Sequence, residues 1–438
     1  MSVFNIPLEV IEFAVFPLLT LQDLSNLAAV CTEWRRYLLK KYAKKLCDGV
    51  VTPELVKESH MSPFELLDMW NRGQLRLSCG LNHGAMIAWD GLLHVWEDGE
   101  RRTVAQGLPP SVRARSVSCG HSHTVVVGSD NQVYALGSNE HGELGTGDTA
   151  LRTNLTRMLV DEPVEAAVGG KEFTLILTTS NKLLWCGSLE VDGVNEENEA
   201  NVGQVLTPRE IPFRDRLQPK EIITKICAGA QHVLVLTNHN RLFSAGNVEH
   251  WQLGRVLTEN EPARELHQVR FPSNLAMSTI VQIAAGVAHS LVLLGDGSVY
   301  SFGTSSSGEL GLPRFESSIM PRVIPNLPKA IAISAGHQHS LILAAQQNKI
   351  VAFGMASLGQ LGYRSSFWSS SSPRDCPLPQ TQNQRIKYIG AGSTFSVCLS
   401  GSGQDLYACG KSSLCAGAGY GTKAQGVLTL FSPVPEVG

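Results

Sequence analysis

Histidine recurs in this 438-residue chain at a spacing that could support chemistry. It follows a glycine by three residues at His83, His123, His232, His289 and His339. Imidazole is a common metal ligand and general base, and the His-Ser pairs at 289–290 and 339–340 have the residue types of a base and its nucleophile. Residues at equivalent places in successive repeats do not converge on one point, however. We therefore expect a structural role, such as a hydrogen bond across the strands of each unit, and no metal site.

Three further motifs fail as sites for a catalytic group or cofactor. Gly410-Lys411-Ser412 is similar to the end of a phosphate-binding loop, but the glycine required five residues earlier is Asp405. GELGTG at Gly142 belongs to a repeated turn, so it does not predict dinucleotide binding. The ten cysteines form no C-x-x-C pair, which argues against a zinc site or a disulfide framework. We expect no cofactor and no catalytic constellation.

The elements that position these residues are revealed by the glycines. Only Gly49 and Gly73 fall within residues 1–74, whereas 39 of the 41 glycines lie in residues 75–438. Glycine is unfavourable inside helices and useful at turns, so a helical start and a turn-rich remainder are expected. Seven glycines of the remainder begin equivalent segments, and a second glycine follows after 17 or 18 residues in six of them. The seven are Gly80, Gly120, Gly170, Gly229, Gly286, Gly336 and Gly392.

Each unit contains short apolar segments that alternate with turns. Two segments flank a turn in TVVVGSDNQVYALG and SLVLLGDGSVYSFG, which is typical of a β-hairpin. A third segment precedes the first glycine, and a fourth follows a proline, as at 207–211. Four strands in about 50 residues are the content of one propeller blade. The sequence therefore predicts an all-β, seven-bladed propeller over residues 75–438.

Several units carry a G-[EQ]-L-G turn after the second glycine: GSNEHGELG at Gly137, GTSSSGELG at Gly303 and GMASLGQLG at Gly354. These segments resemble the repeats of the regulator of chromosome condensation family, and the resemblance implies the same seven-bladed fold. The turn GNVEHWQLG departs from the pattern because Trp251 occupies a glycine position, and Glu97 replaces the second glycine of the first unit. We interpret these departures as local changes of turn geometry.

Residues 5–38 have a helical pattern instead. Pro7 can open a helix, and an apolar stripe follows at helical intervals. A bundle of about 40 residues is rarely stable without a partner. The ordered pieces that resemble an F-box are Ile6-Pro7, Val10-Ile11, Leu18-Leu19, Asp23-Leu24, Leu27, Val30-Cys31 and Trp34-Arg35. We interpret residues 1–40 as an F-box, with a generic helical hairpin as the alternative, and residues 41–74 as a helical linker.

The F-box resemblance implies docking onto the adaptor subunit of an SCF-type (cullin-RING) ubiquitin ligase, and through it onto the cullin and RING subunits. An incomplete helical bundle offers apolar side chains that a partner can bury. The side chains expected at this interface are Pro7, Val10, Ile11, Leu19, Leu24, Leu27, Val30, Cys31 and Trp34.

Substrate contacts are expected on variable loops of the propeller. One loop, between Gly187 and Pro208, is acidic and includes Glu196 and Glu197, which suit a basic segment of a substrate. Another places Phe367 and Trp368 among serines. These two aromatic residues either pack back onto the propeller or bind a partner, since tryptophan is frequent at binding hot spots.

Composition limits the remaining classes of function. The 36 basic and 39 acidic residues give a formal charge of −3, which argues against a nucleic-acid surface. No apolar run approaches the roughly 20 residues of a membrane span, and the N-terminus lacks the basic leader of a secretory signal. We expect a cytoplasmic protein, with the nucleus as a second compartment.

The leading hypothesis is a non-catalytic substrate receptor of a ubiquitin ligase, which brings a protein substrate close to the ubiquitin carrier for ubiquitination and degradation. One alternative is a guanine-nucleotide exchange factor for a small GTPase, an activity that the repeat family implies only by analogy of fold. Another is an F-box scaffold that acts outside the ligase. A light-sensing propeller would need clustered tryptophans, whereas Trp89, Trp96, Trp185, Trp251 and Trp368 are dispersed.

Overall fold

The computed structural model describes residues 76–87, 92–97, 100–103, 107–189, 204–258, 263, 265–272, 278–346, 349–363, 367–376, 386–400, 406–411 and 425–431. The predicted F-box (1–40) and helical linker (41–74) lie outside the described residues. The described chain folds into seven four-stranded antiparallel sheets, each a meander in which strands adjacent in sequence pair with one another. The prediction of a seven-bladed all-β propeller is confirmed. Within these ranges, no helix has the length and apolar character needed to cross a membrane.

The strands are numbered β1 to β28, four per blade. The first strands of blades 1 to 7 are β1 (Leu77–Cys79), β5 (Ala114–Cys119), β9 (Val164–Gly169), β13 (Ile223–Ala228), β17 (Ile280–Ala285), β21 (Ala330–Ala335) and β25 (Ile386–Ala391). The second strands are β2 (His83–Ile87), β6 (His123–Gly128), β10 (Phe173–Thr178), β14 (His232–Thr237), β18 (His289–Leu294), β22 (His339–Ala344) and β26 (Phe395–Ser400).

The third and fourth strands complete each blade. The third strands are β3 (Leu93–Glu97), β7 (Val133–Gly137), β11 (Leu183–Gly187), β15 (Leu242–Gly246), β19 (Val299–Gly303), β23 (Ile350–Met355) and β27 (Leu406–Gly410). The fourth strands are β4 (Glu100–Thr103), β8 (Arg152–Arg157), β12 (Val205–Glu210), β16 (His267–Gln268), β20 (Ser318–Val323), β24 (Ser369–Cys376) and β28 (Gln425–Phe431). Within the described ranges, two short 3-10 turns occupy Arg214–Arg216 and Pro313–Phe315.

The first strands form an inner ring around a central channel. Each contacts the first strand of the blade on either side, including β1 with β25, so blade 7 closes onto blade 1. Main-chain bonds reinforce the ring at its mouth: the amide of Leu81 donates to the carbonyl of His121 at 3.0 Å, and the amide of Ser393 donates to the carbonyl of Gly80 at 3.2 Å. Such close approach requires glycine. A Cβ on Gly120 would lie 2.5 Å from the carbonyl oxygen of Gly170.

Local sequence explains the hairpins between the second and third strands. The third residue of the tip has a positive φ in four blades, at Asn131 (57°), Asn181 (65°), Asn240 (59°) and Gly297 (81°). Asparagine and glycine are the residues that tolerate this conformation best. The predicted hairpins are therefore confirmed, and turn chemistry fixes their register.

The fourth strands differ in one respect from the expectation. Pro208, Pro321 and Pro373 lie inside β12, β20 and β24 rather than before them. These strands are the outer edges of their blades. Proline is tolerated there because an edge strand has unpaired N–H positions, so the missing donor removes no ladder bond.

Apolar cores lie between the blades. The second strands β6, β10, β14, β18, β22 and β26 are buried at every position, since each is covered on both faces by neighbouring blades. One core cluster extends from blade 2 to blade 4, and another links blade 1 to blade 7. The seven described cysteines are all free.

Candidate functional site

The propeller has two distinct faces because its strands alternate in direction. The turns between first and second strands and the connections between third and fourth strands lie on one side, which we call the connection face. The hairpins between second and third strands and the segments that lead to the next blade lie on the other, the hairpin face.

The recurring histidines lie inside the ring and join neighbouring blades. In blade 5, Nε2 of His289 lies 3.0 Å from Oγ of Ser340 in blade 6. The Ser340 hydroxyl donates to the carbonyl of Glu309, in the connection of blade 5, at 2.7 Å. The serine therefore accepts from the histidine, so the imidazole carries its proton on Nε2. We call this arrangement the histidine clamp.

The clamp recurs at three other interfaces. Its members, with the histidine–hydroxyl and hydroxyl–carbonyl distances, are His123–Thr174–Glu143 (3.1 and 2.7 Å), His232–Ser290–Gln252 (2.9 and 3.1 Å) and His339–Ser396–Gln360 (2.8 and 2.7 Å). In blade 1, Nε2 of His83 instead lies 3.2 Å from the carbonyl oxygen of His123. The expected structural role is thus found, but the hydrogen bond crosses to the next blade rather than to another strand of the same blade.

Burial keeps the clamp histidines neutral. It lowers the pKa of His123, His232, His289 and His339 from 6.5 to about 3, and that of His83 to about 4. Among the described atoms, Nδ1 of the four clamp histidines has no hydrogen-bond partner. The close approach of glycine to the ring explains this, because a Cβ on Gly286 would lie 2.6 Å from Nδ1 of His289. These imidazoles hold blades together.

The G-[EQ]-L-G turns have a structural explanation as well. Oε2 of Glu309 accepts the amide of Ser307 at 2.7 Å, and Oε1 of Gln360 accepts the amide of Leu358 at 2.9 Å. Glutamate and glutamine both present such an oxygen, which is why either fits this position. Burial raises the pKa of Glu309.

The central channel is narrow. Its mouth on the connection face is a cavity of 90 Å³, lined by the seven repeat glycines and by the residues that follow them, His121, Lys171 and His337 among these. Deeper in the channel, the first strands enclose 250 Å³. Ligand pockets usually measure about 300–1,000 Å³. No group of three or more His, Cys, Asp or Glu that could hold a metal ion occurs within the described residues.

The strongest candidate for a binding site is an exposed apolar surface. Of the twelve exposed large hydrophobic side chains in the described part of the chain, nine lie in blades 4 to 6. Six are in connections between third and fourth strands, and three are on β20. Exposed apolar side chains that concentrate in one part of a protein favour a binding role over single, scattered ones, which are normal. We call these nine side chains the apolar patch, of which Val323 lies at the hairpin-face end of β20: Trp251, Val256, Leu257, Phe315, Ile319, Met320, Val323, Phe367 and Trp368.

Two of the four predicted substrate-binding residues lie within the described residues, and their role stays a prediction. Phe367 and Trp368 lie on the connection face just before β24, with 72% and 84% of their surface exposed. The carbonyl of Trp368 accepts the amide of Ala356 at 2.7 Å, which fixes the main chain there. Glu196 and Glu197 lie outside the described residues.

The predicted adaptor-binding residues all precede the described residues. They are Pro7, Val10, Ile11, Leu19, Leu24, Leu27, Val30, Cys31 and Trp34.

Sequence reasoning missed most of the apolar patch. Single exposed leucines, isoleucines and valines cannot be told from core residues in short strands. One signal was present: Trp251 occupies a glycine position of the repeat, and it is half-exposed on the connection face. The tryptophans are dispersed as expected, since Trp96, Trp185, Trp251 and Trp368 lie in blades 1, 3, 4 and 6.

Comparison with known proteins identifies the repeat. The family described as "Regulator of chromosome condensation (RCC1) repeat" matches residues 296–343, and a second family with that description matches residues 114–143 and 280–309. The chain therefore contains RCC1 repeats.

Three similar proteins extend this result. The "Ultraviolet-B receptor UVR8" of Arabidopsis thaliana is 25% identical over 322 residues, which cover 70% of each chain. The "Secretion-regulating guanine nucleotide exchange factor" of Mus musculus is 25% identical over 311 residues, 66% of this chain and 61% of that protein. The crystal structure of Kap60 bound to yeast RCC1 (Prp20) has a TM-score of 0.60 at 20% identity and covers 73% of this chain and 75% of that chain. This last likeness is one of fold.

Proposed function

We propose that this protein is the substrate-recognition subunit of an SCF-type ubiquitin ligase. Residues 1–40 bind the adaptor subunit, and the propeller binds the protein to be ubiquitinated. The observation that carries the proposal is the ordered F-box skeleton of residues 5–38, with Ile6-Pro7, Asp23-Leu24 and Trp34-Arg35 in register, upstream of a protein-binding type of propeller.

The propeller is suited to the receptor role by its rigidity and its surface. Interblade bonds and buried cores hold the ring in one shape, while the apolar patch faces outward. A receptor contributes proximity: it places substrate lysines near the charged ubiquitin carrier and leaves bond formation to other subunits. The cytoplasm is the expected site of action, with the nucleus second, and imaging of a tagged full-length chain tests this.

The first experiment measures adaptor binding. Purified full-length protein should form a stoichiometric complex with the adaptor subunit, and the double variant Leu24→Ala/Trp34→Ala should lose it, because two apolar anchors of the interface are removed. The matched control is Trp368→Ala on the propeller, which should bind the adaptor as well as the unaltered chain. No complex, or a complex insensitive to the double variant, would contradict the proposal.

A second experiment separates a ligase subunit from a scaffold that acts outside the ligase. The adaptor complex is mixed with cullin and RING subunits, and assembly is followed by size-exclusion chromatography with light scattering. A ligase subunit should join the four-component assembly and bring ubiquitin transfer to bound proteins. Adaptor binding without entry into that assembly favours the scaffold.

A guanine-nucleotide exchange factor is the second candidate function. The similarity to a protein named as a guanine nucleotide exchange factor favours it. Release of a fluorescent guanine nucleotide from a panel of small GTPases tests it directly. An exchange factor should accelerate release at least about tenfold, a change of about 1.4 kcal/mol in barrier, and Leu24→Ala/Trp34→Ala should leave this acceleration intact.

A further inference from the structure

A surface cavity beside the third and fourth strands of blade 5 has the size of a ligand site. Its volume is 440 Å³, within the range of about 300–1,000 Å³ that is usual for ligand pockets. Four prolines, Leu312 and Val323 form apolar walls, and Tyr300 and Arg322 are the polar residues of the lining. Apolar walls with a few polar groups are typical of small-molecule sites. We call this site the blade 5 cavity.

Tyr300 brings an unused hydrogen-bonding group to the blade 5 cavity. In blade 2, the Tyr134 hydroxyl donates to Oδ2 of Asp130 at 2.7 Å, and blade 5 has the same residue types at Asp296 and Tyr300. There, however, Asp296 accepts the amide and the hydroxyl of Ser298 at 2.9 and 3.0 Å. The Tyr300 hydroxyl makes no hydrogen bond within the described part of the chain. Burial raises the pKa of Tyr300, so the hydroxyl keeps its proton and can donate it to a ligand.

The connection that forms one wall of the cavity is strained. Arg314 and Phe315, which follow the lining residue Pro313, have φ of 57° and 58°. This left-handed region is unfavourable for residues with a Cβ. The corresponding connection of blade 2, between β7 and β8, has glycine at each position of positive φ. Backbone strain of this kind is concentrated at ligand sites and other functional positions, so it favours a binding role for the cavity.

Val323 leaves part of the apolar wall exposed to water. It lies directly opposite Tyr300 in the ladder between β19 and β20, so the two side chains lie on the same face of the sheet. The exposed fraction of Val323 is 50%. A ligand that covers Val323 removes apolar surface from water, which is favourable.

The charged side chains near the cavity indicate a ligand without net charge. Nη1 of Arg322 lies 2.8 Å from Oε2 of Glu316, and Nζ of Lys329 lies 3.6 Å from Oδ2 of Asp296. Each of these two cations is thus already paired with an acid. A charged ligand would lose its hydration on entering the apolar cavity, and the two ion pairs offer it no excess of opposite charge. A neutral ligand avoids this cost.

We infer that the blade 5 cavity binds a neutral, mainly apolar small molecule that carries a carbonyl group or a similar hydrogen-bond acceptor. The apolar walls supply most of the affinity, and the Tyr300 hydroxyl orients the ligand by donating to its acceptor. The inference goes beyond the proposed function and does not depend on it, because adaptor binding is assigned to residues 1–40.

The test uses full-length protein and three probes built on the same naphthalene ring. The first, 2-acetylnaphthalene, is neutral and carries a carbonyl acceptor; the second, 2-isopropenylnaphthalene, has the same shape without the acceptor; the third, naphthalene-2-carboxylate, is charged. Equilibrium dialysis should show binding of the first probe and at least about tenfold weaker binding of the third, because the carboxylate must be desolvated. No binding of 2-acetylnaphthalene, or equal binding of the carboxylate, overturns the inference.

A pair of tyrosine variants tests the hydroxyl. Tyr300→Phe should weaken 2-acetylnaphthalene about threefold to tenfold, the loss expected for one hydrogen bond, and should leave 2-isopropenylnaphthalene unchanged. Its melting temperature should stay the same, because the hydroxyl has no partner within the described residues. Tyr134→Phe is the matched control: it should lower the melting temperature, since the bond to Asp130 is lost, and leave probe binding unchanged. If Tyr300→Phe weakens both probes equally, or neither, the inference is overturned.

A second pair of variants locates the site. Val323→Asp places a charge on the cavity wall and should weaken 2-acetylnaphthalene at least about tenfold. Val256→Asp alters a valine of similar exposure, 56%, that does not line the cavity, and it should bind the probe as the unaltered chain does. Circular dichroism should show both variants folded. Equal affinity of the two variants for the probe overturns the inference. A dimer that Val323→Asp dissociates in sedimentation would mean that a second copy occupies the cavity, which also overturns it.

Discussion

The interface between blades 5 and 6 is held by buried polar groups, whereas that between blades 7 and 1 is packed with aromatic rings. In the first, His289 and Ser340 form the clamp, and Gln282 of β17 bonds the amide and carbonyl of Ile333 in β21 at 2.9 and 3.1 Å. In the second, Phe395 takes the place of the histidine and lies in one cluster with Trp96. Neighbouring blades of one propeller are thus joined by two kinds of contact: hydrogen bonds between buried polar groups, and packing of aromatic rings.

The interface between blades 3 and 4 resembles the aromatic one. Phe173 replaces the histidine there, and Val233 stands where the next blade would supply the hydroxyl. Within the described residues, neither aromatic interface has a histidine clamp, although main-chain bonds cross both. Histidine side chains therefore link blades 1–3 to one another and blades 4–7 to one another. The two interfaces that carry a phenylalanine instead are called the apolar seams, although the Ser393 hydroxyl donates to the carbonyl of Leu81 at 2.7 Å across one and the amide of Ile223 donates to Oδ1 of Asn181 at 2.8 Å across the other.

Acid should destabilise the histidine interfaces but not the aromatic ones. This loss of folding stability is the largest effect that we expect. A histidine whose pKa is about 3 when folded and about 6.5 when unfolded contributes stability that is present above pH 6.5 and lost as the pH falls. At pH 5 each of the five buried repeat histidines should cost about 2 kcal/mol, or about 10 kcal/mol in all. Domains are commonly stable by about 5–15 kcal/mol, so the ring should unfold near pH 5.

Circular dichroism and tryptophan fluorescence as a function of pH measure this transition. Carboxyl groups whose pKa is lowered, such as Asp148 and Glu162, lose their contribution only below about pH 4.5. Burial raises the pKa of Glu309, which opposes acid unfolding, so a loss of stability between pH 6.5 and 5 reports the histidines. Unfolding at pH 5 should take up about five protons. A transition that occurs only below pH 4 would show that the polar interfaces are not the acid-sensitive ones.

The interface between blades 7 and 1 should instead be destabilised by truncation of a buried aromatic side chain. Phe395→Ala should lower the free energy of unfolding by about 3–5 kcal/mol, because it removes a buried ring and leaves a cavity. Urea unfolding measures this loss, which should not depend on pH between 6.5 and 8, where the ring is fully folded. Trp368→Ala removes an exposed ring and should change stability by less than about 0.5 kcal/mol. A small effect of Phe395→Ala would mean that the seam contributes little to closure.

Removing one clamp hydroxyl should lower the free energy of unfolding by less than Phe395→Ala does. Ser340→Ala leaves the Nε2–H of His289 and the carbonyl of Glu309 without their bridge, which should cost about 1–3 kcal/mol. Ser372→Ala, an exposed serine of the same blade, should change unfolding by less than about 0.5 kcal/mol. Equal unfolding midpoints for the two variants would show that the clamp is energetically neutral.

Sequence reasoning predicted the blades and their hairpins but not the two kinds of interface. Spacing within one repeat places each histidine on the second strand, yet its partner lies in the next repeat, and no local pattern relates the two. The relation appears only when consecutive repeats are compared. A hydroxyl residue then follows each clamp histidine one repeat later: Thr174 follows His123, Ser290 follows His232, Ser340 follows His289 and Ser396 follows His339. Phe173 and Phe395 are instead followed, at the same repeat position, by Val233 and Gly84. The apolar patch was missed for a similar reason, since exposure depends on which strands pack around a residue.

The smallest change in the free energy of unfolding should come from converting a histidine interface into an aromatic one. His289→Phe alone leaves the Ser340 hydroxyl facing a ring, and Ser340→Val alone leaves an unpaired imidazole, so each should cost about 1–3 kcal/mol. The double variant His289→Phe/Ser340→Val reproduces the pair found between blades 3 and 4 and should cost less than about 1.5 kcal/mol. A double-mutant cycle by urea unfolding measures the coupling. The double variant should also unfold at a lower pH than the unaltered chain, because one acid-sensitive histidine is gone. If the two single costs simply add, the interfaces are not interchangeable, and the difference between them reflects backbone geometry rather than the paired side chains.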